Sequence, residues 1–235
     1  SFIIKFFGKI IDIGFFIRLF SISVNIFYLI IYRVKIIQCW NKNRKLPPEP
    51  LSADEVRRLI KTASRYAPTG IRNRALLTVM YRGGLRSDEA LALYPKDLDT
   101  DRGTIRVLHG KGDQSRIVGL DDGAWAVIDR WLDRRKELGC KSRHPLFCTL
   151  KGGPVSDRYV RAMVKRLAKR AGIFRRVHPH GLRHTHAFEL ANEGTPLHVI
   201  QHQLGHSSLA VTDRYVRHLA PQEVVKTMQA REWKL

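Results

Sequence analysis

The fold class predicted for residues 47–235 is α+β, mainly helical, with one small antiparallel β-sheet. Three observations predict it. Apolar residues recur at helical spacing over most of the chain beyond Leu51. A single stretch, residues 97–120, switches to short β-type runs, TIRVL and SRIVGL, on either side of the glycine-flanked tip HGKGDQ. A chain of 235 residues is also long enough to bury a sizeable core without metals or disulfides.

Residues 1–46 stand apart from that domain. Residues 1–40 are dominated by Ile and Phe, and the longest uncharged run, residues 19–32, is shorter than the roughly 18–20 residues that span a bilayer. Charges interrupt the apolar stretch, no small-residue cleavage site follows it, and the chain begins with Ser. The segment is therefore expected to be atypical, fragmentary or unselected; a membrane anchor, which would need the run to extend across Arg18, is not favoured, and the stretch makes a poor signal peptide. The consecutive prolines of KNRKLPPEPLS then break any helix ahead of the globular sequence.

Within the domain, LSADEVRRLIKTAS opens with a capping pair, Ser52 and Glu55, and places Val56, Leu59, Ile60 and Ala63 on one helical face. Residues 72–82 read as a second helix closed by Gly83 and Gly84. A third begins at Ser87, whose hydroxyl is expected to cap it while Asp88 and Glu89 complement the helix dipole. After the hairpin, helical patterns return at residues 121–138, 156–171, 181–192, 195–204 and 208–216, and a short one follows Pro221. Thr195 is expected to cap its helix with Pro196 at the first position, and Gly205 to end it.

Lys and Arg number 42 against 21 Asp and Glu, a formal charge of +21. Self-repulsion on that scale calls for a polyanion, and nucleic acid is the first partner to consider. Cys39, Cys140 and Cys148 form neither a C-x-x-C pair nor an even-numbered framework, so zinc, redox catalysis and secretion are not indicated and a reducing cytoplasm fits.

The polar residues narrow the chemistry. In HPHGLRHTHAFEL, His180 and Arg183 share one face in a helix's first turn, where free backbone N–H groups favour an anion. Arg86 in GGLRSDEALAL sits at an element boundary, Lys111 tips the hairpin between two glycines, and His206 emerges where Gly205 stops a helix, nine residues before Tyr215. Each has an ordinary reading on its own: histidines lining a helix start, an i,i+3 surface pair between Arg86 and Glu89, a solvated lysine in a turn. Together they suit a phosphodiester. Paired arginines match its non-bridging oxygens and stabilise transition-state charge, while tyrosine beside a histidine and several cations becomes a nucleophile.

These motifs, Arg86 in GLRSDEALAL, Lys111 in the hairpin, HGLRH at 180–184, LGH at 204–206 and Tyr215, resemble in order and spacing the signature of the tyrosine recombinase or phage integrase family over roughly residues 46–233. The resemblance implies a tyrosine-recombinase catalytic domain in residues 47–235. It implies that Tyr215 attacks the scissile phosphate of double-stranded DNA to leave a 3′-phosphotyrosyl link, that Arg86 and Arg183 grip the phosphate, and that Lys111 protonates the leaving 5′ oxygen. His180 would assist proton transfer at the tyrosine, His206 would donate to a phosphate oxygen, and Glu89 would buttress Arg86. No cofactor, metal or small-molecule substrate is implied, and members assemble as homotetramers on paired DNA sites by exchanging C-terminal segments. Residues 1–46 are too short and too Ile/Phe-rich for the DNA-clamping N-terminal domain usual in the family, so a truncated enzyme is expected.

Three rivals remain beside this reading. A type IB topoisomerase would use a similar residue set to relax supercoils. A basic, non-catalytic DNA-binding remnant of a mobile element would keep only the charge. A zinc site at His198, His202 and His206 is disfavoured because Gly205 interrupts the helix before the third histidine and no carboxylate joins them; His198 and His202 are expected to face solvent.

Overall fold

The computed structural model describes residues 50–108, 115–206, 228–229 and 231. The chain divides between Glu49 and Pro50, and the unit beginning at Pro50 carries all of the architecture that follows. Lys111, Tyr215, the helix expected at residues 208–216 and all but residues 228–229 and 231 of the segment after Pro221 lie outside the described residues.

Helix α1 (Ala53–Thr62) begins with the capping box read from the sequence. Ser52 Oγ accepts the Glu55 N–H at 3.2 Å and the Glu55 carboxylate accepts the Ser52 N–H at 2.8 Å. Helix α2 (Pro68–Arg82) starts four residues earlier than expected. Pro68 takes the first helical turn, where its missing N–H costs nothing, and Gly70 is needed because a Cβ there would stand 2.3 Å from the Ser64 carbonyl oxygen. This helix is buried nearly all round, including Arg72, whose guanidinium is satisfied by Asn73 Oδ1, the Cys148 carbonyl and the Tyr159 hydroxyl.

Helix α3 (Ser87–Ala92) is short, and its N-cap is Arg86, not Ser87. The Ser87 hydroxyl instead donates to Asp157 Oδ1 at 2.7 Å, and the Glu89 carboxylate reaches back to accept the Arg86 N–H at 2.8 Å. A 3₁₀ turn at Pro95–Asp97 leads into a sheet of three strands, β1 (Leu98–Asp99), β2 (Thr104–Val107) and β3 (Arg116–Gly119), antiparallel and in sequence order. Val107 pairs with Arg116 and Thr104 with Gly119, so the two expected strands pair antiparallel and a two-residue strand adds to them, while the expected tip at residues 109–114 lies outside the described residues.

Helices α4 (Asp122–Glu137), capped by Asp121, and α5 (Asp157–Arg170), capped by Ser156, bury Trp125, Ile128, Trp131, Val160, Met163 and Val164 in one apolar core with α1, α2 and β2. Between them the thiols of Cys140 and Cys148 come within 3.7 Å of each other, a proximity that their spacing does not announce. Helix α6 (Pro179–Asn192) starts two residues before the expected Gly181, because the His178 ring nitrogen accepts the Gly181 N–H at 2.8 Å and acts as the cap. Helix α7 (Leu197–Leu204) is preceded by Pro196 at the N-cap, with no side-chain cap, so Thr195 does not play that part. Ala187 and Ala191 of α6 and Ile200 and Leu204 of α7 form a second apolar cluster. The domain is thus mainly helical with a small antiparallel sheet, and no helix among the described residues is long and apolar enough to cross a membrane.

Candidate active site

The Gly83–Gly84 turn delivers Arg86. Gly84 adopts φ +64, and a Cβ there would lie 2.6 Å from Leu204 Cδ2 and 2.9 Å from His186 Cδ2. Only glycine allows the turn to press onto the α6/α7 cluster at this conformation. The chain end of α7 is built with equal constraint. Gly205, at φ +64, donates to the His202 carbonyl at 3.1 Å while the His206 N–H reaches the Gln201 carbonyl at 3.2 Å, the two bonds of a Schellman turn.

Arg183 ties these two turns together. It is 1% exposed, and its guanidinium donates through Nη1 to the Gly84 carbonyl at 2.7 Å and through Nη2 to the Leu204 carbonyl at 2.5 Å. Those carbonyls lie two residues before Arg86 and two before His206, so one side chain fixes where both emerge. The Leu204 carbonyl also ends a helix, where a cation is favoured.

At the centre lies Glu89, 3% exposed. Its Oε1 accepts from Arg86 Nη1 at 2.7 Å and from Arg116 Nη1 at 3.0 Å, its Oε2 from Arg116 Nη2 at 2.8 Å, and Arg183 Nη1 stands 3.7 Å away. Burial works to raise the Glu89 pKa, but the Arg116 and Arg86 hydrogen bonds and the charges of Arg116 and Arg183 outweigh it and hold it at about 2. Three guanidinium groups and one carboxylate leave a net positive cluster.

His180 and His206 share this field. Burial, then the charges of Arg183, His178 and Arg86, lower the His180 pKa. Burial, then Arg183, Arg86, His180 and Arg116, push His206 down to about 3. Both imidazoles are therefore neutral near pH 7, each offering one acceptor nitrogen and one N–H. The His180 ring also meets His184 edge-on at 4.9 Å between centroids.

Arg86, Glu89, His180, Arg183 and His206 are thus brought together, whereas Lys111 and Tyr215 fall outside the described residues. Arg116 joins the cluster although no motif marked it. The signal was the strand period: Arg116 stands two residues before Val118, so both face inward while Ile117 between them is 60% exposed. His198 and His202 are exposed, and no group of three metal-ligating side chains occurs among the described residues.

Beside the cluster opens a groove of about 880 Å³ lined by Ser87, Arg161, Lys165, Lys169, Arg176 and His180 among others. Arg161, Lys165 and Lys169 follow one another at four-residue intervals along α5, a like-charged stripe that is mildly unfavourable in isolation, with Arg161 paired to Asp157 at 2.6 Å.

A net-positive cluster with neutral histidines alongside, set in a mainly helical domain beside a basic groove, is suited to holding an anion. The phage integrase family model matches residues 49–222, and the chain belongs to that family of tyrosine recombinases. It is 41% identical over 187 residues to tyrosine recombinase XerC of Xanthomonas axonopodis pv. citri, covering 80% of this chain and 59% of that relative. Tyrosine recombinase XerD of Ralstonia nicotianae is 36% identical over 188 residues, 78% of this chain and 60% of that one. The chain spans about three-fifths of the length of these curated relatives. Among solved structures, XerA recombinase superposes with a TM-score of 0.69 at 30% identity, over 81% of this chain and 67% of that one. XerH bound to its palindromic difH substrate in a post-cleavage complex gives 0.66 at 30% identity, over 78% and 53%.

Proposed function

We propose that this chain breaks and rejoins double-stranded DNA through a 3′-phosphotyrosyl intermediate, as the catalytic part of a site-specific recombinase. The observation that carries the reading is the convergence of Arg86, Arg183 and Arg116 around one buried carboxylate with two neutral histidines alongside. Such a cluster attracts a phosphodiester and, with its dipoles already aimed, stabilises the extra charge of a five-coordinate transition state.

In this reading Arg86 and Arg183 hold the non-bridging oxygens and the His206 N–H adds a third donor. The Tyr215 oxygen attacks phosphorus as its proton passes to neutral His180, and the P–O5′ bond breaks as Lys111 gives a proton to the leaving oxygen. The phosphotyrosyl bond keeps the energy of the phosphodiester, so a 5′-hydroxyl can reverse the step without a nucleotide cofactor. The likeness to XerH in complex with its difH substrate supports DNA as the partner. Pairing of two sites within a homotetramer, by exchange of C-terminal segments, completes the proposal.

A nicked suicide duplex tests it. The wild-type chain becomes covalently linked to DNA, whereas Tyr215→Phe shifts the duplex in a gel without an adduct. A wild-type chain that binds but never forms an adduct leaves a DNA-binding remnant, and relaxation of supercoiled plasmid lacking any recombination site marks a topoisomerase.

A further inference from the structure

Arg116 is bound at all three of its guanidinium nitrogens, yet the proposed chemistry gives it no task. Its side chain is 6% exposed, against 26% for Arg86. Its two Nη groups take both oxygens of Glu89, and its Nε donates to the Gln203 carbonyl at 3.3 Å. The fit is close enough that a Cβ on Gly205 would stand 2.7 Å from Arg116 Cδ and 2.9 Å from Cζ. Gln203 completes the fastening: its Nε2 donates to the Gly119 carbonyl at 2.9 Å and its Oε1 accepts the Gly119 N–H at 3.2 Å. The last turn of α7 is thereby fixed to both ends of β3.

Arg86, by contrast, makes one side-chain bond among the described residues, Nη1 to Glu89 Oε1 at 2.7 Å. A buried carboxylate with two oxygens to satisfy would draw the nearest mobile guanidinium into a two-pronged pair. Arg116 fills that demand from behind.

Resting on the recombinase reading above, we infer that Arg116 is a positioning residue that occupies the Glu89 carboxylate so that Arg86 keeps its remaining N–H groups directed outward, to a scissile phosphate. It does not touch DNA itself. Lysine cannot substitute fully, because a single ammonium does not span two carboxylate oxygens and a carbonyl at once. Without Arg116, Glu89 captures Arg86 and the site loses a phosphate donor while the groove that binds the duplex is untouched.

The test uses the full chain and its Arg116→Met, Arg116→Lys and Glu89→Gln/Arg116→Met variants. Arg116→Met lowers the rate of covalent trapping on the suicide duplex about 100-fold, the effect of losing one oriented donor, while duplex affinity stays within about threefold because backbone contacts elsewhere set it. Arg116→Lys falls between. The double variant is the sharp arm: with the carboxylate charge also gone nothing captures Arg86, and trapping recovers about tenfold over Arg116→Met. A purely structural role predicts a double variant no faster than the single one, and that result overturns the inference, as does an Arg116→Met chain that traps at the wild-type rate. If Arg116→Met does not fold, Arg116→Lys against the charge-neutral double variant makes the same comparison. Orthovanadate, titrated while the His180 and His206 ring protons are followed by NMR, reads phosphate-site occupancy without cleavage. Arg116→Met weakens it about tenfold, and equal affinity sinks the role of Arg116 even in a chain that forms no adduct. A wild-type chain that binds vanadate but forms no adduct sinks the strand-breaking reading and leaves the role of Arg116 to the vanadate comparison.

Discussion

His186 gives the domain a stability that fails in mild acid. The residue is 4% exposed on α6, packed against the Gly84 turn, and neither ring nitrogen has a hydrogen-bond partner among the described residues. Burial, then the charges of Arg82 and Arg183, with Asp121 opposing weakly, push its pKa from 6.5 down to about 4. The folded state therefore rejects a proton that the unfolded chain accepts, so the stability is complete above pH 6.5 and is lost as pH falls toward about 4. Between about pH 7.5 and about pH 5 the loss from this one ring is roughly 2 kcal/mol, since each pKa unit is worth about 1.4 kcal/mol. For a domain of this size that corresponds to a fall of about 4–8 °C in Tm.

His180 and His206 act in the same direction, so the wild-type curve alone does not isolate His186. His186→Leu does. Whatever offset the substitution introduces at neutral pH, urea unfolding at about pH 7.5 and about pH 5 gives the difference between variant and wild type at each, and that difference moves by roughly 2 kcal/mol in favour of the variant on acidification. A difference constant to within about 0.5 kcal/mol shows that His186 is hydrogen-bonded or hydrated in solution and refutes the reasoning.

Two further predictions follow from the same geometry. Gly205→Ala combines the left-handed backbone penalty of roughly 1–2 kcal/mol with displacement of Arg116, so it costs more in urea unfolding than Gly194→Ala, where φ is +78 and nothing lies within 4 Å; equal costs would show that the Arg116 side chain moves aside freely. Lys165→Ala with Lys169→Ala, on the basic groove, reduces the slope of log K against log salt for duplex binding by about 1.8 if both lysines meet phosphates. An unchanged slope puts the duplex elsewhere.

Features set by residues near one another in sequence were legible in advance. The Ser52–Glu55 box, the glycine stop before His206 and the hairpin around residues 109–114 each depend on local conformational preference, and the described parts of these elements agree. Differences of a few residues arise where a side chain takes a partner other than the expected one. His178 caps α6 in place of a start at Gly181, and Ser87 gives its hydroxyl to Asp157 across the fold, leaving Glu89 to cap Arg86.

The cluster itself is only half legible. Residue type and spacing single out Arg86, Glu89, His180, Arg183 and His206, but closure depends on carbonyls, and every residue has one. Nothing in GGLR or LGH reveals that Arg183 will take the Gly84 and Leu204 oxygens, 99 and 21 residues away in sequence. The same holds for Arg116, whose inward phase can be read from Val118 while its partner, Glu89, lies 27 residues back. What the fold adds is an allocation of charge: one buried carboxylate is shared among three arginines, of which Arg116 and Arg183 are buried and Arg86 is left the most exposed. Exchanging Glu89 for a neutral amide therefore loosens Arg86 and Arg116 before it alters whether the domain folds, because Arg183 remains held by two backbone oxygens that the substitution does not touch.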